Sequence, residues 1–177
     1  MTLLSQAFRA QVKQTKDISQ KNEMTYSVSY PTGFLNLDFA NGYIQEVNGR
    51  LKYELGLSDG SINMIISNSG VGKTTICTQI ATNIIKPFKT STVFYEQAEI
   101  GTNIQRIKNL SGFRSDSEFS DRFIVRDSGI TIESIYERVR MVHDIKVADP
   151  STYLYDTGMI DMRGDPIYKF EPTVFII

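Results

Sequence analysis

This chain has almost no cysteine. Cys77 stands alone, so no internal disulfide can form, and the composition suits a reducing compartment. Long apolar runs are missing too. None approaches the roughly 18 residues that a membrane helix needs. The start, Met1-Thr2-Leu3-Leu4-Ser5-Gln6, has neither a basic n-region nor an apolar h-region of a secretion signal. These absences together point to the cytoplasm, with no membrane partner. No sign of charge dominates: 19 basic side chains meet 20 acidic ones. That argues against a dedicated nucleic-acid module built on a large basic field, while leaving DNA contact through local loops open. There is no internal repeat and no low-complexity segment.

What is present is enough apolar material for a core, 41% of 177 residues. The length suits one domain with an N-terminal appendage. Leu3, Leu4, Ala7, Phe8 and Val12 recur near helical spacing, which predicts a helix over 2–16 and a polar linker to residue 25. That arm packs either on its own domain or on a neighbouring subunit. Tyr43–Val47, Asn48-Gly49 and Arg50–Leu55 predict a β-hairpin. From residue 61 strand and helix alternate. Strands are expected at Ser61–Ile66, Thr92–Tyr95, Arg122–Val125 and Thr173–Ile177. Helices are expected at Thr74–Ile85, Asn103–Leu110 and Thr131–His143. The buried side of the first helix carries Ile76, Cys77, Ile80, Ala81, Ile84 and Ile85. The inward stripe of the third carries Ile132, Ile135, Tyr136, Val139 and Val142. His143, the only histidine, is expected to interact with a helix end. A second hairpin is expected around Arg163-Gly164-Asp165. The pattern predicts an α/β fold: a mostly parallel sheet, helices on both faces and two inserted hairpins.

The strongest chemical signal lies between the first strand and its helix. Ser67-Asn68-Ser69-Gly70-Val71-Gly72-Lys73-Thr74 reads as a phosphate-binding loop, with Thr75 next in the same turn. Glycines at 70 and 72 let backbone N–H groups converge on phosphate oxygens. The helix beyond aims its positive end at the same place. Lys73 supplies a full charge for the β- and γ-phosphates, and the Thr74 hydroxyl can coordinate Mg²⁺. Ser67 stands where glycine is usual, so it must keep a negative φ. The expected ligands are ATP and Mg²⁺.

Glu96-Gln97-Ala98-Glu99 follows the next strand, at the carboxyl end where a parallel sheet meets its ligand. Glu99 is the first candidate for polarising the attacking water, and Glu96 the second. Phosphate-loop NTPases close an apolar strand with an Asp that holds Mg²⁺ through water. Val174-Phe175-Ile176-Ile177 is such a strand, and the sequence stops where that Asp would stand. Asp156 is the weaker alternative.

Tyr30-Pro31-Thr32-Gly33-Phe34-Leu35-Asn36-Leu37-Asp38, upstream of a strand and a Gly-Lys-Thr-Thr loop, resembles the RecA-like ATPases. The order of elements over 30–177 is most similar to bacteriophage recombinases of the RecA/UvsX type. The resemblance implies a RecA-like core with Glu99 as its catalytic glutamate. It also implies self-association into filaments or rings, with the arm on the adjacent protomer. The implied activity is DNA-dependent ATP hydrolysis in recombination and repair: binding single-stranded DNA, pairing homologous strands and exchanging them. If phage-encoded, the protein works in the host cytoplasm. The family's DNA loops and Mg²⁺-linked Asp lie after the last strand here, so the expectation is an N-terminal portion whose DNA contacts fall beyond residue 177. Two other readings are a replicative helicase-like motor and a non-hydrolysing nucleotide-binding or assembly fragment.

Overall fold

The computed structural model describes residues 27–96, 103–161 and 163–177. The expected arm at 2–16 lies outside them. The described chain opens with β1 (Ser29–Tyr30) and α1 (Leu35–Ala40). Asn48-Gly49 joins β2 (Tyr43–Val47) to β3 (Arg50–Glu54) as an antiparallel hairpin. Asn48 has φ 53° and Gly49 φ 73°, the left-handed pair that this turn requires. β4 (Leu57–Ser58) pairs with β1. Next come α2 (Lys73–Ile85), β5 (Thr92–Glu96), α3 (Ile104–Ser111), α4 (Asp116–Arg122) and β6 (Phe123–Arg126). The chain closes with α5 (Ile132–Ala148), α6 (Pro150–Tyr153), β7 (Leu154–Ile160), β8 (Pro166–Phe170) and β9 (Thr173–Ile176).

Local chemistry sets several boundaries. The Asn103 side chain accepts the Gln105 N–H at 2.8 Å to start α3, and Gly112 ends that helix at φ 64°. Thr131 and Ser134 cap the start of α5 reciprocally. Arg122 donates to Ile85 O and Ser91 O, both at 2.6 Å, and so ties the end of α2 to the start of β5.

The architecture is mixed α/β and partly parallel. Among the described residues three strands form a parallel sheet in the order β6-β5-β9, and the other six form three antiparallel pairs. One sheet face is the core: Val93, Tyr95 and Phe123 pack with Ala81, Ile85, Ile107, Phe113 and Phe119. On the other face Phe94 stacks on Phe175, ring centroids 4.9 Å apart. That face looks onto α5 across a cavity of about 550 Å³ lined in part by Phe94, Ile124, Arg138, Met141 and Ile145. The two hairpins meet where Asn48 Nδ2 donates to Ile160 O at 2.7 Å. No described helix is long and apolar enough to cross a membrane.

Four expectations change. Residues 61–66 form no strand, because nothing among the described residues pairs with them. Ile132, Tyr136 and Val139 of α5 face outward, and Ile135 and Val142 are only half-buried. Arg138 and Lys146, bonded to Glu96 and to Glu171 O, hold a partly polar stripe of α5 inward instead. On α2, Ile76 is exposed and Cys77 half-buried, while Ile80, Ala81, Ile84 and Ile85 are buried as expected. His143 is exposed within α5 rather than at its end. The short helix α4 was not foreseen.

These positions predict opposite outcomes for two truncations. Ile85 is fully buried, so Ile85→Ala should cost roughly 2–5 kcal/mol. Tyr136 is 72% exposed, so Tyr136→Ala should stay within about 0.5 kcal/mol. Urea unfolding of both variants measures the contrast.

Candidate functional site

The glycine loop at 67–74 sits where the sequence places it, directly ahead of α2. Gly70 (φ 80°) and Gly72 (φ 93°) both take the left-handed conformation that a side chain would oppose. A Cβ built at either would meet open space, so the demand comes from the backbone curl and not from crowding. Gly72 is the N-cap of α2 and brings no side-chain acceptor, so side-chain capping leaves the first-turn N–H groups to a ligand. Ser67 is not among the residues with positive φ, in keeping with its expected backbone. Lys73 Nζ donates to Ser67 O and Asn68 O, each at 3.0 Å. The lysine therefore closes the loop on itself. Arg106 of α3 donates to Thr75 Oγ1 at 3.4 Å.

The Thr-Gly-x-x-x-Leu-Asp segment holds α2 in place. Buried Asp38 accepts from Thr32 N at 2.7 Å and Thr32 Oγ1 at 2.6 Å. Asn83 on α2 donates to Thr32 O at 2.8 Å. A Cβ on Gly33 would fall 2.0 Å from Asn83 Nδ2, so the close approach requires glycine. The motif thus fixes the phosphate-loop helix against the start of the fold.

The lead-in to the loop is anchored at its base. Asp59 accepts from Ser27 Oγ at 2.7 Å, Val28 N at 3.2 Å and Lys169 Nζ at 2.9 Å. Burial pushes its carboxyl up, but the bonds from Ser27 and Lys169 outweigh that and hold its pKa below the ordinary carboxylate value. Beyond this anchor the chain is open: Ile62 is 99% exposed, Met64 79% and Ile66 83%.

The two candidate acids part ways. Glu99 lies outside the described residues. Glu96 is 2% exposed and belongs, with Phe94, to the sheet face that looks onto α5. Val93 and Tyr95 point to the α2 side. Arg138 pairs with one Glu96 oxygen, and the other oxygen is buried without a partner. Burial pushes the Glu96 carboxyl up and the charge of Arg126 pulls it down. This geometry suits an ion pair that docks α5, and it turns Glu96 away from the phosphate loop. Asp156 accepts the Gly158 N–H at 2.8 Å within β7, a turn contact. Sequence reasoning missed Arg138. Its signal was its place three residues after Ile135 and four before Val142, on the stripe that turns inward.

The Thr74 and Thr75 hydroxyls and Lys73 lie together in the first turn of α2. Backbone, charge and hydroxyl thus fit a triphosphate with its Mg²⁺. Comparison with protein-family models, with curated proteins and with solved structures returns no match. The argument for this site therefore stands on its own residues.

Two outcomes test this geometry. Arg138→Met strands the buried Glu96 carboxylate and should cost roughly 3–5 kcal/mol, most of it recovered when Glu96→Gln is added. Urea titration of the single and double variants reads this. Because the folded-state pKa of Asp59 is lowered, its contribution is fully present above its unfolded value near 3.8 and fades as pH falls through the folded one. Asp59→Asn should accordingly flatten the acid limb of stability against pH below about 4.

Proposed function

We propose that this chain is the ATP-binding portion of a RecA-like ATPase of the recombinase type, working on single-stranded DNA as a self-associated assembly. The single observation that carries the nucleotide part is the curl at Gly70 and Gly72 into the open start of α2, with Lys73 beside it. The recombinase part rests on the sequence resemblance, now joined by the clamp from Thr32 and Asp38 to Asn83.

The chemistry follows from the residues. When a triphosphate enters, Lys73 exchanges the Ser67 and Asn68 carbonyls for phosphate oxygens, a stronger charge-assisted contact. Loop N–H groups hold the phosphates, and the Thr74 hydroxyl would hold Mg²⁺, which would neutralise the phosphate charge. Glu99 takes the proton of the attacking water as its oxygen bonds to the γ-phosphorus. The bond to the β–γ bridging oxygen breaks, releasing ADP and phosphate. Glu96, the second candidate, is held instead in its pair with Arg138.

A second reading is a nucleotide-binding assembly piece that does not turn ATP over. The exposed, unpaired segment at 61–66 favours it, because a phosphate loop is held only as firmly as its lead-in.

Lys73→Ala should weaken binding of a fluorescent ATP analogue on the order of 10- to 100-fold, the value of a hydrogen-bonded charge. Glu99→Gln should leave that binding intact and slow hydrolysis roughly 10²- to 10⁴-fold in the DNA-bound form. Background turnover in the unsubstituted protein with single-stranded DNA present would favour the second reading. Binding unchanged by Lys73→Ala would contradict both.

A further inference from the structure

α5 meets the sheet at two posts and stands clear of it between them. Arg138 pairs with Glu96 at the carboxyl end of β5, and Lys146 donates to Glu171 O just ahead of β9. At the rise of a helix these posts stand roughly 12 Å apart, the length of an extended chain of about ten carbons. Between them lies the cavity of about 550 Å³. Phe94 and Ile124 line it from the sheet, Met141 and Ile145 from the helix, and Thr90 and Tyr153 at the amino end. The volume suits a small molecule.

Two observations set this space apart from loose packing. The first is apolar surface left wet. Ile124, Met141 and Ile145 are 42%, 49% and 47% exposed, although all three line the space between helix and sheet. Such surface gains from any apolar body that displaces its water. The second is charge. Arg126, Arg138 and Lys146 line the cavity, and no acid among the described residues does. At the amino end the Glu171 carboxylate offsets Lys146. At the carboxyl end one carboxylate, Glu96, stands between two arginines: it pairs with Arg138 and feels the charge of Arg126. One positive charge is left over there. Arg126 ends β6 directly across from Glu96, and it donates at 3.2 Å to a neutral acceptor, Gly129 O. The cavity thus has an apolar middle and a surplus cation at one end.

We propose that the space beneath α5 is a binding site for an unbranched aliphatic carboxylate of medium length. Its carboxylate takes the guanidinium fork of half-buried Arg126, a charge-assisted contact that replaces the one to Gly129 O. Its chain lies between Phe94 and Ile124 on one side and Met141 and Ile145 on the other. A cationic head on the same chain is refused, because it would meet Arg126 and Arg138. Filling the space fixes α5 against β5 and β6 between its two posts. The site is on the sheet face opposite α2, so it does not depend on the nucleotide reading.

The test is calorimetric titration of the full chain with sodium decanoate below its micelle concentration, read beside backbone amide NMR. Binding should saturate at one equivalent, with amide shifts concentrated at 92–94, 124–126 and 138–146. Affinity should rise about fourfold for each methylene added from hexanoate to decanoate. Arg126→Gln should weaken decanoate binding roughly 10-fold or more. Arg126→Lys, which keeps the charge and loses the fork, should fall between the two. Decyltrimethylammonium, with the same chain and a cationic head, should not bind. Three results would overturn the proposal. One is no saturable decanoate binding, which includes the case of another part of this chain filling the space. A second is affinity that Arg126→Gln leaves unchanged, or shifts confined to other parts of the fold. The third is equal binding of decyltrimethylammonium, which would mark an unspecific apolar surface. The chain-length series and the ammonium comparison use the unsubstituted protein, so they decide even where Arg126→Gln fails to fold.

Discussion

Everything described here hangs on β5. Its central residues Val93, Phe94 and Tyr95 are paired on both edges, the strand is covered on both faces, and each face is committed to a different task. Val93 and Tyr95 anchor the core beneath α2, α3 and α4. Phe94 and Glu96 hold the other side, through the stack on Phe175 and the pair with Arg138. A strand buried on both faces cannot shift register without exposing one set and burying the other. Its ends are also pinned. Arg122 fastens the turn that leads in, and the Glu171 side chain accepts from Thr90 N at 2.7 Å and Thr90 Oγ1 at 2.6 Å just before the strand begins. The fixed strand in turn fixes α2, and α2 carries the glycine loop at its start.

The loop itself needs little from the rest of the protein. Two glycines, a helix start and one lysine create a convergence of donors with almost no tertiary support. The rigidity lies elsewhere, in the Thr32, Asp38 and Asn83 clamp at the far end of the same helix. Between clamp and loop runs an anchored base at Asp59 and then an exposed stretch. The donors are thus in place, while nothing among the described residues pairs with the lead-in at 61–66.

Much of this was legible from the residues. Asn48-Gly49 named its hairpin, Gly70 and Gly72 their curl, and Thr131 its cap, because each is set by local backbone chemistry. Strand and helix alternation gave β5, α3, β6 and α5 to within a few residues. Two features were not legible, because they depend on partners distant in sequence. An apolar run such as 61–66 reads as a strand, but whether it forms one is decided by what lies beside it. The face of α5 that turns inward is set by Arg138 meeting Glu96, a contact between residues far apart in the chain. Glu96 ends β5, and the alternation of that strand's side chains places it on the α5 side, which its position in the sequence alone does not tell.

The central claim is that the loop at 67–74 holds a triphosphate. The most direct measurement is a backbone amide NMR titration of the ¹⁵N-labelled chain with Mg²⁺ and ATP, set against the same titration with AMP. The account predicts large, saturable shifts at Gly70, Gly72, Lys73 and Thr74 with ATP and none with AMP. Unmoved loop amides at saturating ATP, or equal shifts with AMP, would contradict it.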